Sequence, residues 1–360
     1  MLGIILIINI FLTFNLSREL NESSEDLKEK LRPAKIELSI IKNSKCSDCF
    51  DISQVLSNIK KSNVNVTNEI NFEFDSKEGK DIIKKHKIEK IPTVIATGEI
   101  NKANIQGLEK KENSLLLTNI KAPYTNATSG RVEGRVTLYN LKDLGCDKCS
   151  NLISLINQIK LAGAKIFEEK NISINSSDGK GLIKKYKIDF AAALILSKEL
   201  EFYETVKQAW PQIGTKENDG NFVLRTPNPV FINLSNGQLR GLVSITYITD
   251  KDCAECFDVN TYKKVLEDPK GFAVKLDKEQ RLDVNDPKGK ELIAKYNITQ
   301  VPTVILSDEI NVYPSMQALK QFFSVEKDNY YVFRKVQLLG TYKDILNHKV
   351  VKKLSAKSAG

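Results

Sequence analysis

The sequence predicts a layered α/β protein made of three tandem copies of one domain, each a central mixed sheet with flanking helices. Three observations predict it. The chain repeats itself: KEGKDIIKKHKI, SDGKGLIKKYKI and PKGKELIAKYNI align on Gly79, Gly179 and Gly289, while IELSIIKNSKC, VTLYNLKDLGC and VSITYITDKDC align upstream of them. Within each copy, apolar β-rich runs alternate with stretches of helical period, the pattern of strands joined by helices. A C-x-x-C pair stands at the same place in every copy. Cys46 and Cys146 are 100 residues apart and Cys146 and Cys253 are 107 apart, so the repeating unit is a whole domain.

The elements follow one order. A first apolar run (Ile36 to Ile41, Val136 to Leu141, Val243 to Ile248) reads as a strand, and the cysteine pair then opens an amphipathic helical stretch such as FDISQVLSNIKK. A second alternating run follows (INFEFD, ISIN, RLDV), then a short helix from the glycine, then a third apolar run: IEKIPTVIAT, IDFAAALILS and ITQVPTVILS. A last strand, NFVLR or YYVFR, comes after an inserted helical stretch. TSGRVEGRV before the second copy matches SNGQLRGLV before the third, and boundaries are placed there. The domains expected are 35–130, 131–237 and 238–348, with a basic tail at 349–360.

Ahead of them, LGIILIINIFLTFNL (Leu2 to Leu16) is uncharged and no small-x-small cleavage site follows. It is shorter than the roughly 20 residues that span hydrocarbon comfortably. Residues 1–16 are read as an apolar signal-anchor or transmembrane helix and 17–34 as a polar stalk, with the domains outside the cytoplasm, where disulfides persist. Eight N-x-S/T sequons, among them Asn65, Asn126, Asn233 and Asn297, point the same way. Arg18, Lys28, Lys30 and Arg32 after the apolar segment oppose it under the positive-inside rule. Elsewhere the composition is that of a globular protein, 41% hydrophobic and 28% charged. The net charge of +9 comes largely from lysines on helical stretches such as IKKHKIEK, a solvated face, and no nucleic-acid partner is expected. His86 and His348 lie on similar stretches and are read as surface residues.

All six cysteines lie in the three pairs: Cys46-Ser-Asp-Cys49, Cys146-Asp-Lys-Cys149 and Cys253-Ala-Glu-Cys256. At a strand-to-helix junction the first cysteine gains thiolate character from the helix N-terminus, and the second can attack a mixed disulfide and release product. A ribbon-type zinc site needs two pairs within about 15–20 residues, and these pairs lie a whole repeat apart. A site built between domains, and disulfides that only staple a helix end, stay open as alternatives.

Each copy resembles the thioredoxin superfamily, most closely in the third, where C-A-E-C is followed by LDVNDPKGKELIAKYNITQVPTVIL. The resemblance implies a thiol–disulfide oxidoreductase of the reductase or isomerase kind, without an organic cofactor or metal because the redox-active disulfides are the redox group. It implies Cys46, Cys146 and Cys253 as nucleophiles, and Cys49, Cys149 and Cys256 as resolving partners. Pro92 and Pro302 would be cis-prolines facing the cysteines and, with Ile91 and Val301 before them, would bind substrate, the loop backbone pairing with a peptide as an added strand. Its partners would be protein dithiols or disulfides and a membrane or soluble thiol redox partner.

Departures from the family pattern matter. Lys45, Gly145 and Asp252 stand where a tryptophan is usual, and the acid-containing dipeptides disfavour the thiolate, most of all in the third copy. Ala192 replaces the proline of the second copy. A cis bond before a non-proline residue costs about 2.5–4 kcal/mol, so that loop is expected to be trans and the second copy a spacer with residual redox chemistry, or a metal or cluster trap. Two further readings remain: a non-catalytic extracytoplasmic scaffold with structural disulfides, and a C-x-x-C metal-binding protein.

Overall fold

The computed structural model describes residues 28–352. The apolar segment at 1–16, most of the stalk and the end of the basic tail lie outside the described residues. Among those described, no helix is long and apolar enough to cross a membrane. The chain forms two compact units: one runs to Val136 and includes Gly163–Phe167 and Glu199–Lys207, and the other holds the remainder.

In the first unit the elements are β1 (Ala34–Lys42), α1 (Ser53–Lys61), β2 (Val64–Glu73), α2 (Lys77–His86), β3 (Lys90–Ile91), β4 (Thr93–Gly98), β5 (Glu109–Lys111), β6 (Ser114–Leu116), β7 (Tyr124–Asn126) and β8 (Val132–Glu133). The second repeat comprises β9 (Val136–Lys142), α3 (Ile153–Leu161), β10 (Ile166–Ser173), α4 (Ser177–Tyr186), β11 (Phe190–Ala191), β12 (Ala193–Leu196), α5 (Glu204–Ala209), β13 (Gly214–Lys216), β14 (Phe222–Leu224), β15 (Phe231–Asn233) and β16 (Leu239–Arg240). The third comprises β17 (Leu242–Thr249), α6 (Asn260–Glu267), β18 (Lys275–Asp283), α7 (Pro287–Lys295), β19 (Gln300–Val301), β20 (Thr303–Leu306), α8 (Met316–Leu319), β21 (Phe323–Val325), β22 (Tyr331–Phe333), β23 (Tyr342–Asp344) and β24 (Lys349–Val351).

Each repeat has a five-stranded sheet of the same order: β2-β1-β4-β6-β5, β10-β9-β12-β14-β13 and β18-β17-β20-β22-β21. In the first, β1 runs parallel to β2 and antiparallel to β4, making a mixed sheet with its first strand inside. Both faces of β1 are covered. Ile36, Leu38 and Ile40 pack with Ile52, Ile59, Val94 and Ala96, while Ile41 joins Ile88, Ile91, Ile95 and Leu116 on the other face. Burying each such isoleucine contributes roughly 1.5–3 kcal/mol, which is why the run reads as continuously apolar near its end.

The recurring glycine has a steric cause. A Cβ at Gly79, Gly179 or Gly289 would lie 2.1, 2.0 and 2.0 Å from the carbonyl oxygen of Glu73, Ser173 and Asp283 respectively, so the second helix can approach the preceding strand end only through glycine. Ser76 and Ser176 cap those helices by accepting from Gly79 N and Gly179 N.

The domain limits differ from expectation in one consistent way. A hairpin pairs with the short strand before each third apolar run, giving three-stranded sheets β3-β7-β8, β11-β15-β16 and β19-β23-β24. The boundaries expected at 130/131, 237/238 and 348/349 fall inside these hairpins, so Val132–Glu133, Leu239–Arg240 and Lys349–Val351 pair with the repeat before them. Residues 349–351 therefore form a strand and do not open the tail.

Candidate functional site

The register of the sheet sets the site. Ile41 lies opposite Thr93, Leu141 opposite Ala193 and Ile248 opposite Thr303. The turn leaving the first strand and the loop entering its antiparallel neighbour therefore meet at one edge. Cys46–Cys49, Cys146–Cys149 and Cys253–Cys256 sit in that turn, each joined by a disulfide with Cα–Cα distances of 5.4, 5.5 and 5.4 Å.

The pairs do not open the helices, as the amphipathic pattern suggested. α1, α3 and α6 begin at Ser53, Ile153 and Asn260, beyond the second cysteine, and have no side-chain cap. The backbone explains this. The N–H of the residue after each second cysteine donates away from the helix, Phe50 to Pro123 O at 2.7 Å, Ser150 to Val230 O at 2.7 Å and Phe257 to Thr341 O at 2.9 Å. A helix-end effect fades within one turn, so it acts weakly on Cys46, Cys146 and Cys253.

The loops expected opposite the cysteines are there. The peptides Ile91–Pro92 and Val301–Pro302 are cis, and so is Ala191–Ala192, which corrects the expectation that the second loop is trans. Sequence preference is overridden by the strands on either side: Ala191 is paired with Ile232 and Ala193 with Leu141, which fixes both flanks of the bond. The loops still differ. Thr93 and Thr303, both fully buried, donate across the sheet to Leu117 O and Phe333 O at 2.7 Å, and the second repeat has Ala193 there. In the third repeat Tyr262 of α6 donates to Pro302 O at 3.0 Å, and burial pushes its phenol well above the usual range.

Strand order, cysteines at the end of the first strand and a cis loop facing them decide the fold. Each repeat is a thioredoxin-like domain. No protein-family model and no curated protein sequence matches the chain. Solved structures that match include the N-terminal domain of alkylhydroperoxide reductase AhpF from Enterococcus faecalis, at 13% identity over 50% of this chain and 89% of that one, with a TM-score of 0.16. ERdj5 in crystal form II matches at 11% identity over 84% of this chain and 38% of that one, with a TM-score of 0.14. Human ERp44 in its zinc-bound form matches at 11% over 88% and 85%, with a TM-score of 0.16. Overlaps this low carry no argument; the assignment of the thioredoxin-like fold rests on the topology.

In the first domain Cys46, Cys49 and Pro92 line one cavity of about 340 Å³, floored by Ile40 and Leu56. Ile91 is buried in the core and does not line that cavity; it lies opposite Thr125, whose hydroxyl is 3.7 Å from Cys49 Sγ. In the third domain the carbonyl of Val301 is 3.9 Å from Cys256 Sγ. Among the described residues no three His, Cys, Asp or Glu side chains converge as metal ligands, so a metal on Cys146 and Cys149 would need ligands from elsewhere.

Sequence reasoning missed one residue. Arg135, just after β8, pairs with both carboxylate oxygens of Asp48 and brings its Nη2 to 3.6 Å from Cys46 Sγ, with its guanidinium 4.4 Å from the centre of the Phe167 ring. The guanidinium holds the Asp48 carboxyl below the usual aspartate range. The acid that was expected to oppose the Cys46 thiolate is thus neutralised by a cation that also touches the sulfur. Because Asp48 is depressed in the folded chain, this pairing is complete at neutral pH and is lost as the pH falls through that lowered value. One charged dipeptide residue in each of the other domains is paired too, Lys148 with Asp277 at 2.5 Å and Glu255 with Lys352 at 2.7 Å, but no bond joins either partner to a cysteine sulfur among the described residues. The only signal was a difference between aligned boundaries: Gly134-Arg135 stands where the next boundary has Gly241-Leu242.

A cation beside sulfur favours thiolate, and its removal leaves Asp48 unneutralised, so both effects push the same way. With Cys146, Cys149, Cys253 and Cys256 changed to serine and the first pair reduced, Arg135→Gln should raise the pH of half-maximal Cys46 alkylation by on the order of one pH unit. Arg135→Lys should restore part of the change, since it keeps the charge but not the fork. An unchanged alkylation profile in Arg135→Gln contradicts this electrostatic role.

Proposed function

We propose that the chain is a thiol–disulfide oxidoreductase acting on protein thiols through its C-x-x-C pairs. The observation that carries this reading is the first domain's cavity, in which both cysteines and the cis loop share one open space while a guanidinium rests on Cys46. Cys46 and Cys253 act as nucleophiles and Cys49 and Cys256 as resolving cysteines, with Cys146 and Cys149 in the same roles in the second domain. Pro92 and Pro302, held by Ile91 and Val301, form the opposite wall of the substrate space.

In the reducing direction the Cys46 thiolate attacks one sulfur of a substrate disulfide. A new S–S bond forms and the other substrate sulfur leaves as a thiolate, which takes a proton. Cys49, having lost its proton to solvent, then attacks Cys46 Sγ, and the second substrate sulfur leaves. Two electrons pass from the dithiol to the substrate, and an external dithiol returns them by the same exchange. The redox group is the cysteine pair itself. The same reading makes residues 2–16 a membrane anchor, with the domains outside the cytoplasm. Its support is the uncharged run and the strict pairing of all six cysteines.

A second reading, a scaffold whose disulfides staple turns, is favoured by the backbone bond that ties the cysteine turn to a hairpin in all three domains. Activity separates the two. Replacing Cys46 and Cys253 together by serine should remove nearly all dithiol-driven reduction of a protein disulfide by the full chain; full activity in that variant contradicts the assignment of nucleophiles.

Location has its own test. After reduction of intact cells, a membrane-impermeant thiol reagent should label Cys253, and labelling that appears only after lysis places the domains inside.

A further inference from the structure

The strand edge beside each cysteine pair is already occupied. An unpaired edge next to a reactive sulfur is the natural place for a polypeptide to bind by adding a strand, because its backbone groups need partners. Here the short strand before each cis loop is paired with the chain's own hairpin. Ile91 lies opposite Thr125, Ala191 opposite Ile232 and Val301 opposite Lys343. The ladder continues one residue on: Ala127 N, Leu234 N and Ile345 N donate to Glu89 O, Asp189 O and Thr299 O at 2.8, 2.8 and 3.0 Å.

The hairpins are fastened to the cysteine turns at a second point. The carbonyls of Pro123, Val230 and Thr341 accept the N–H that follows each second cysteine. A third fastening uses a side chain in each domain; in the second, Ser150 Oγ donates to Pro229 O at 2.6 Å and accepts from Val230 N at 2.8 Å. Asn43 donates to Thr125 Oγ1 at 2.9 Å in the first domain, and in the third Lys343 pairs at 2.5 Å with Asp250, whose side chain is 2% exposed. The hairpin tips are closed by side-chain caps: Asn126 Oδ1 accepts from Thr128 N and Ser129 N, Asn233 Oδ1 from Ser235 N, and Asp344 Oδ1 from Leu346 N and Asn347 N. Three copies of one device, built from different side chains, hold the same edge.

What remains open in the first domain is the 340 Å³ cavity, whose lining holds Cys46 and Cys49 but no hairpin residue, and in the third Cys253 and Cys256 are themselves partly exposed. That volume lies at the small end of ligand pockets and admits a compact group.

Building on the oxidoreductase reading, we infer that the hairpin is a specificity element. It closes the strand-addition route to extended peptides and leaves the sulfur pair to compact disulfides, those of low-molecular-weight thiols or of a cysteine at the tip of a tight loop. An extended substrate must first displace the ladder, the turn bond and, in the third domain, the Asp250–Lys343 pair.

The third domain tests this, in the full chain with Cys46, Cys49, Cys146 and Cys149 changed to serine and the remaining pair reduced. Two probes carry the same leaving thiol: a tripeptide mixed disulfide, and the same disulfide on the central cysteine of a linear β-prone peptide of about ten residues. The compact probe should react faster by roughly tenfold or more, the cost of displacing a few net hydrogen bonds. Asp344→Pro removes an N–H from the middle strand of the hairpin together with the turn cap. It should speed the extended probe by roughly tenfold while changing the compact probe by less than about twofold. If that variant does not fold, Asp344→Ala, which keeps every backbone donor and loses only the cap, should shift the ratio in the same direction. Equal rates for the two probes in the unaltered chain, or a ratio untouched by both substitutions, overturn the hairpin's role. A compact probe that fails to react at all overturns the oxidoreductase reading, and this inference with it.

Discussion

Everything at the candidate site follows from the position of the first strand of each repeat. It lies inside the sheet in every repeat, and in the first and third it runs parallel to one neighbour and antiparallel to the other and is covered on both faces by apolar side chains. A chain leaving such a strand can turn only at its carboxyl end, in the crevice where open α/β sheets bind ligands. The antiparallel neighbour begins at that same end, and a register that sets residue 41 opposite 93 brings the cis loop to the cysteines without any further device. The buried threonine after the proline donates to the neighbour on the other side, Leu117 O or Phe333 O, and so ties the cis loop to that strand in the first and third domains.

Given one scaffold, the three sites differ by local chemistry. The first has a cation on its leading sulfur and an acid neutralised by it. Among the described residues no arginine bonds to the third pair's sulfurs, but its loop carbonyl is held by a buried tyrosine and its hairpin by an ion pair whose carboxylate is buried. The second lacks the proline and the threonine and clips its hairpin through Ser150, while its backbone keeps the same cis geometry. Its divergence therefore lies in side chains and not in the path of the chain. Breaking the Asp250–Lys343 pair would leave the buried Asp250 carboxylate without its cation, which is costly and suits a fastening that fixes one arrangement of the hairpin.

Much of this was legible in the sequence, because the strongest signals are periodic. The repeats, the strand–helix order, the apolar third strand and the cysteine and proline positions all come from patterns that survive comparison between copies. Three things were not legible. The hairpin strands Val132–Glu133 and Leu239–Arg240 are two residues long, too short to show a period, so the boundaries were cut through them. FDISQVLSNIKK has a helical apolar face from its first residue, but the Phe50 N–H is claimed by Pro123 O, and the helix starts later. Arg135 lies 89 residues from Cys46, and nothing in spacing joins them. Ala192 shows the opposite failure, in which a local preference was read correctly and then overruled by the strands around it.

An oxidoreductase requires the cysteine pairs to be exchangeable and not inert staples. The most direct measurement is a redox titration of each pair in the full chain, with the other two pairs changed to serine, against thiol buffers of defined potential. Inert structural disulfides lie below about −300 mV. The account predicts that the Cys46–Cys49 and Cys253–Cys256 pairs titrate above that value, with the first pair the more oxidising because Arg135 stabilises its reduced form. Both pairs resisting reduction to potentials below about −300 mV would contradict it and make the chain a scaffold.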